Sequence, residues 1–379
     1  MVSLNVVEQP IFGKQLDPPT EICLTPNIGP PFSHPSIPYA AHYVGATSPK
    51  TTPSHYVDSV QALVQLYELD VQNPALEPGS EDGRISSSIP LVVNTMGWTK
   101  GLGADLSRKL EDVVQPSHIF SFDASANDDW DQPIQFLNFS LLDGRHVHSL
   151  ESVRSSSISN RYTAADQRNI SMLSYFHAVF SNHTSTSPLT SPIATSWNSA
   201  LPLCAQHPYE VDARTAFDQL FLVGVGAEDV VAAEVPRALT CSVVGLVSCE
   251  PGTLDNHAPV DAEDGSGLPF YEQGAPPPSP YASKCLGLAV VRAISPAPSP
   301  RIQLLTPIPP KLLGSARVMV MGELPLPVWG MLDFRTLDDG EDIVGYERGK
   351  VPYLRWGKGE GAGGDRRRVR RNLMRRGQM

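Results

Sequence analysis

An apolar run closed by a glycine-rich turn constrains this chain's architecture more than any other feature. The stretch is Ser88-Ile-Pro-Leu-Val-Val-Asn-Thr-Met-Gly-Trp-Thr-Lys-Gly-Leu-Gly103. Ile89 to Val93, interrupted only by Pro90, reads as a short buried strand. Leu102, Leu106, Leu110 and Val113 then recur on one helical face, and His118-Ile-Phe-Ser-Phe122 reads as the next strand. Strand, helix and strand in that order predict a βαβ unit, hence a parallel sheet with its function at the carboxyl ends of the strands.

The flanking segments extend this α/β reading. Met1 to Val7 and Tyr39 to Gly45 are strand-like, Ser54 to Leu66 has helical spacing, and Ala164 to Phe180 is helical again. Asp70 to Ser88 reads as a loop, and the polar stretch from 125 to 160 as an exposed excursion. A Ser/Thr/Pro-rich segment marks a linker, placed at 186–200, between a first domain at 1–185 and a second at 201–379. Beyond it, Thr240–Ser248, Cys285–Ile294, Arg301–Leu305 and Arg317–Met321 are short runs rich in Val, Ile and Leu, separated by turn chemistry. They predict a smaller, mostly-β domain ending in an Arg-rich tail.

Charge is unevenly placed. Seven arginines between Arg366 and Arg376 contribute +7, so the rest of the chain carries −18 of a total of −11. An acidic body with a basic end suits an anionic partner or an intramolecular clamp, and equally a solvated or localisation tail. The chain has no run of 18 apolar residues and its first residues lack the pattern of a secretory signal, so no membrane partner is expected. The five cysteines (Cys23, Cys204, Cys241, Cys249, Cys285) have no paired spacing, which argues for reduced intracellular thiols; Cys241 and Cys249, flanking an apolar run, are expected to pack.

Several chemistries find no motif. No GxxxxGK[ST], GxSxG or HExxH occurs, and Thr99-Lys-Gly-Leu-Gly103 has the wrong spacing for a phosphate nest. His146 and His148 form an HxH that reads as part of a polar loop, and no metal site is assigned.

Resemblance reaches further. Asn94-Thr-Met-Gly-Trp-Thr-Lys-Gly-Leu-Gly103, followed by Gln115-Pro-Ser-His-Ile-Phe120, resembles the nucleolar polynucleotide 5′-hydroxyl kinase family of pre-ribosomal-RNA processing, which is related to the RNA kinases of mRNA cleavage and polyadenylation. Gly29-Pro-Pro-Phe-Ser-His34, Tyr43-Val-Gly-Ala-Thr-Ser-Pro49 and Pro53-Ser-His-Tyr56 are similar to segments after the family's nucleotide-binding core. Ala164-Ala-Asp-Gln-Arg168 with Leu173-Ser-Tyr-Phe-His177 resembles its lid helix. Cys285 to Arg292, Leu305 to Pro309 and Val351 to Leu354 resemble its C-terminal domain. The fold implied is a partial P-loop-kinase-like parallel sheet followed by the smaller mostly-β domain.

The resemblance implies ATP-dependent transfer of phosphate to RNA 5′-hydroxyl ends during processing of the pre-rRNA internal transcribed spacer. It also implies ATP and Mg²⁺, an endoribonuclease partner, and a place in the nucleus and nucleolus. Met1 to Leu4 resembles a segment that in the family follows the phosphate-binding loop. The chain is therefore expected to be an N-terminally truncated form, without the main ligands of ATP and Mg²⁺ and inactive by itself. The alternative is a non-catalytic RNA-end-binding or scaffold remnant.

Six residues are singled out through the same resemblance. Thr95, Gly97 and Trp98 resemble the family's clasp on the nucleic-acid end: a Trp face can stack on a base, Gly97 admits close backbone approach, and Thr95 offers a hydroxyl. Read without the resemblance, Trp98 is better explained as a packed aromatic. Arg168 resembles a lid residue whose guanidinium neutralises a transferring phosphoryl group, the catalytic role, although a solvent-facing helix arginine would look the same. Arg161, seven residues away, does not fit the lid's RxxxR spacing. Gly45 and Ser48 are further substrate-binding candidates that turn geometry would also explain.

Overall fold

The computed structural model describes residues 2–4, 35, 37–72, 91–97, 100–123, 146–151, 164–180, 194, 196–254, 267–296, 298–327, 330–332, 356–357 and 360–361. Among these the fold is mixed α/β. In chain order the strands are β1 (Val2–Leu4), β2 (Ala40–His42), β3 (His118–Asp123), β4 (His146–Glu151), β5 (Ala178–Val179), β6 (Ser196–Trp197), β7 (Tyr209–Asp212), β8 (Gln219–Leu222), β9 (Val243–Cys249), β10 (Phe270–Tyr271), β11 (Ser283–Ile294), β12 (Arg301–Leu305) and β13 (Val318–Met321). Three helices exceed ten residues: α1 (Pro53–Leu66), α2 (Leu102–Val114) and α3 (Ala164–His177).

Seven strands form one sheet in the order β10-β8-β13-β9-β11-β12-β7. β10 and β13 run parallel to β8, and the other pairings are antiparallel. This sheet is thus mixed, and all of it comes from residues 209–321. Among the described residues, the parallel sheet expected in the first half is represented by a two-stranded pair, β3 with β4.

One face of the large sheet is closed by local chain. Ala213, Phe217, Val235, Leu239 and Leu268 pack on Leu220, Val244, Leu246, Ala289 and Met319. The opposite face is closed by segments distant in sequence. Ala41 of β2 and Tyr43 just after it pack on Phe221, Val247, Val318 and Val320. Beside them Leu173, Tyr175 and Phe176 of α3 cover Val243, Val290, Leu305 and Ile308. Two missing side chains make these seats possible. A Cβ on Gly245 would lie 2.5 Å from the Tyr43 ring, and one on Gly287 would lie 2.6 Å from the Tyr175 hydroxyl.

The helices follow their sequence signals. α1 has Pro53 in its first turn, where a missing N–H costs nothing, and buries Ser59, Val60, Ala62 and Leu63. α2 buries Leu106 and Leu110 as its periodicity predicts, packs on α1, and stops at Gln115 in the left-handed conformation just before Pro116.

The run that anchored the sequence reading departs from expectation. Leu91 to Val93 is not a strand, and Val92 is 88% exposed. A strand needs a neighbour to take its N–H and C=O groups, and no described strand lies beside this run. The βαβ unit therefore lacks its first strand. Its α2 and β3 are present, and β3 pairs with β4 instead. His146 and His148 accordingly sit on a paired strand, not in a loop. Cys285 and Cys249 are buried or partly so, but Cys241 is exposed at a left-handed turn (φ 62°) and does not pack. The segments 29–34, 124–145 and 181–193, with Cys23, Trp98, Arg161 and the Arg-rich tail, lie outside the described residues.

Candidate functional site

The loop from Asn94 to Gly101 leads into the N-terminus of α2. Thr95 and Gly97 are exposed, and a Cβ on Gly97 would meet nothing within 4 Å among the described residues beyond its chain neighbours. No described residue beyond its chain neighbours therefore requires glycine there. Gly101 caps α2 with φ 56° and contributes no side-chain cap, while the Gly103 N–H in the first turn donates to the Lys100 carbonyl at 3.2 Å. Trp98 lies outside the described residues.

Gly45 is held by a different logic. It is buried, with φ 78°, where the chain leaves β2 for α1. A Cβ there would lie 2.9 Å from Val223 and 3.2 Å from the Cα of Gly322, and the Gly45 carbonyl accepts the Glu323 N–H at 2.6 Å. This locks the segment onto the carboxyl ends of the parallel strands β8 and β13. Packing alone accounts for glycine at this position. Ser48 is half-buried three residues on, in the turn before α1.

Arg168 is exposed in the first half of α3 and forms no ion pair among the described residues. The second half of α3 is anchored: the Leu288 N–H donates to the Tyr175 hydroxyl at 2.8 Å, and burial pushes the Tyr175 hydroxyl's pKa up. Gly45 and Arg168 thus belong to elements seated side by side on one face of the large sheet. Thr95 and Gly97 belong to the α1–α2 layer. No hydrogen bond or ion pair joins Arg168 to Thr95, Gly45 or Ser48 among the described residues.

Two groupings go beyond the sequence reading, which notes only the His146/His148 pair of the second. The first lies where β2 and α1 meet β11. His42 is buried, which lowers its pKa to about 4, helped by the nearby His55 and Lys284. His55 donates from Nε2 to the Tyr43 carbonyl at 3.3 Å, and burial lowers its pKa as well. Lys284 stands 5.1 Å over the Tyr39 ring, while the Tyr39 hydroxyl donates to Asp70 at 3.0 Å. Beside His42 and His55 is a cavity of about 10 Å³, room for one water and not for a nucleotide. No sequence signal linked these residues, because β11 lies more than 200 positions away.

The second grouping is His118, His146 and His148, exposed on the β3–β4 pair. Its signal was present: His-Val-His-Ser-Leu alternates with the period of a strand.

The comparisons with known proteins give this geometry its context. The sequence model of the family described as mRNA cleavage and polyadenylation factor CLP1 P-loop matches residues 2–178. A polynucleotide 5′-hydroxyl-kinase GRC3 of Cryptococcus neoformans var. neoformans serotype D is 33% identical over 382 residues, covering 93% of this chain and 49% of its own. The polynucleotide 5′-hydroxyl-kinase grc3 of Schizosaccharomyces pombe is 26% identical over 358 residues, covering 88% of this chain and 44% of its own. The chain spans about half the length of the curated relatives it matches. Among solved structures, a chain from a study of the interface between Pcf11p and Clp1p covers 74% of this chain and 55% of its own, at 13% identity and TM-score 0.40. That overlap is too loose to assign a fold.

Proposed function

The chain belongs to the polynucleotide 5′-hydroxyl-kinase family related to the mRNA cleavage-factor kinases, and on that premise we propose that it supplies the acceptor-end machinery of such a kinase. The reaction is transfer of the ATP γ-phosphate to the 5′-hydroxyl of an RNA end in pre-rRNA spacer processing. Its setting is the nucleus and nucleolus, beside the endoribonuclease that generates the end. Thr95, Gly97 and Trp98 hold the terminal nucleotide, with Gly45 and Ser48 at the neighbouring chain crossing. Arg168 would be the residue to neutralise the charge of a transferring phosphoryl group.

The observation that carries this reading is the Thr95–Gly97 loop. Thr95 and Gly97 are exposed, no described residue beyond its chain neighbours crowds Gly97, and the following helix α2 has no side-chain cap. Donor N–H groups and a hydroxyl in that position suit a 5′ end and its phosphates.

ATP and Mg²⁺ fit the residues present poorly. The 379 residues contain no GxxxxGK[ST], and among the described residues no three His, Cys, Asp or Glu side chains are grouped to hold a metal ion. No step is therefore assigned to them in this chain. The same sequence fact favours a second reading, a non-catalytic module that binds RNA ends.

Incubation with [γ-³²P]ATP and a 5′-hydroxyl RNA oligonucleotide, alongside a binding titration of the same RNA, separates the two. The kinase reading is sustained if a sequence encoding a phosphate loop, joined to this chain, confers labelling that Arg168→Ala abolishes. Binding of RNA ends with no labelling in that joined protein would leave only the second reading.

A further inference from the structure

The three exposed histidines of β3 and β4 have no part in the proposed reaction. The strands run parallel with His118 opposite His146 and Phe120 opposite His148, so all four rings project from one face. They form a stacked array: His118 on His146 at 5.1 Å, His118 on His148 at 5.2 Å, and His148 on Phe120 at 4.8 Å between ring centres. Within it, Nδ1 of His118 and Nε2 of His148 face each other at 3.0 Å.

That distance is informative. Two imidazole nitrogens on one ion each lie about 2.1 Å from it, so a 3.0 Å separation closes an angle of about 90° at the ion. A tetrahedral site would hold them about 3.4 Å apart. A right angle belongs to tetragonal or octahedral coordination, the preference of Ni(II) and Cu(II) with nitrogen ligands. We propose that His118 and His148 form a two-imidazole chelate for a divalent late transition-metal ion of tetragonal preference.

To serve, both rings must turn about their side-chain bonds, because the two nitrogens now face each other along a hydrogen bond. A hydrogen bond between two exposed imidazoles competes with water and contributes little stability. Its proton sits on one of the two facing nitrogens. Moving it to the distal nitrogen of the same neutral ring frees both facing lone pairs, with no net proton lost. The stack on Phe120 fixes the plane of the His148 ring, the positioning that a ligating imidazole requires. His146 is left out of the chelate because, among the described residues, the facing nitrogen pair is that of His118 and His148. Among the described residues no third His, Cys, Asp or Glu completes a cage, so water fills the remaining positions.

Calorimetric titration of the full chain with Ni(II) tests the assignment. One ion per chain is expected. Affinity should fall about tenfold or more in His118→Ala and in His148→Ala, as loss of one arm of a chelate requires, and stay within about twofold in His146→Ala. His148→Gln keeps the size and polarity of the side chain and should lose binding equally, which separates loss of a ligand from loss of fold. The proposal is overturned by the absence of a saturable site, by an equal loss in all three alanine variants, or by undiminished binding in His148→Gln.

Discussion

Strand β9 and the strand pair β3–β4 are built from similar side chains and meet opposite fates. β9, Val243-Val-Gly-Leu-Val-Ser-Cys249, has β13 on one side and β11 on the other, and Val243 through Val247 are buried. β3 and β4 carry Ile119, Phe120, Phe122, Val147 and Leu150, yet Phe120 is 59% and Phe122 70% exposed. Residue type does not distinguish them. Neighbours do: β9 has two ladder partners and two covered faces, whereas each strand of the smaller pair has one partner and an open face. Burial of apolar surface is the main stabilising term in folding, so the large sheet holds the fold and the smaller pair presents surface.

The sharpest way to break that contrast is to alter one backbone contact under the large sheet. A Cβ on Gly322 would fall 2.2 Å from the Gly45 carbonyl oxygen, a backbone atom that cannot swing aside. Gly322→Ala should cost about 3 kcal/mol or more in urea unfolding. Phe122→Ala, a far larger deletion on the smaller pair, should change stability by no more than about 0.5 kcal/mol. Comparable losses would mean that the two regions do not differ as described.

Acid should act through the same seat. His42 has a pKa near 4 in the folded chain and about 6.5 unfolded, so between those values the unfolded state binds more protons. Stability is then full above pH 6.5 and declines as pH falls toward 4, by about 3 kcal/mol for this group alone. The burial-lowered pKa values of His55 and His177 act in the same direction. His42→Gln should flatten the dependence of the unfolding midpoint on pH, and an unchanged slope would remove His42 from the explanation.

A smaller effect belongs to Tyr43, whose hydroxyl donates to the Val243 carbonyl at 3.0 Å. Tyr43→Phe leaves that buried carbonyl without its side-chain partner and should cost about 1 kcal/mol. A thermal melt shows it, and no change would mean that the ring alone holds β2 on the sheet.

What the sequence made legible follows from the range of its signals. α1, α2 and four of the large sheet's strands are local patterns of period 3.6 or 2, and they lie where the pattern puts them. β8 was missed because it is a four-residue run beginning with a buried Gln219, too short to be distinguished from turn. Leu91 to Val93 was misread because a strand's composition says nothing about whether a partner lies beside it. The seat of Tyr43 on Gly245, and of Gly45 on Gly322, joins residues about 200 to 280 positions apart, and one chain's sequence has no local trace of such pairs. Of the candidate residues, Thr95 and Gly97 were proposed through the kinase resemblance and lie exposed on a loop. Gly45 was found by the same route and lies buried by packing.

The central claim is that the loop ahead of α2 recognises an RNA end while contributing nothing to the fold. The most direct test replaces Trp98 by alanine and measures both properties on the same protein: affinity for a 5′-hydroxyl RNA oligonucleotide by fluorescence anisotropy, and the thermal midpoint. Loss of one base stack predicts affinity weakened by about tenfold, within the 1–3 kcal/mol range of such contacts, at an unchanged midpoint. Unchanged affinity, or a midpoint that falls with it, would contradict the claim and make Trp98 a packing residue.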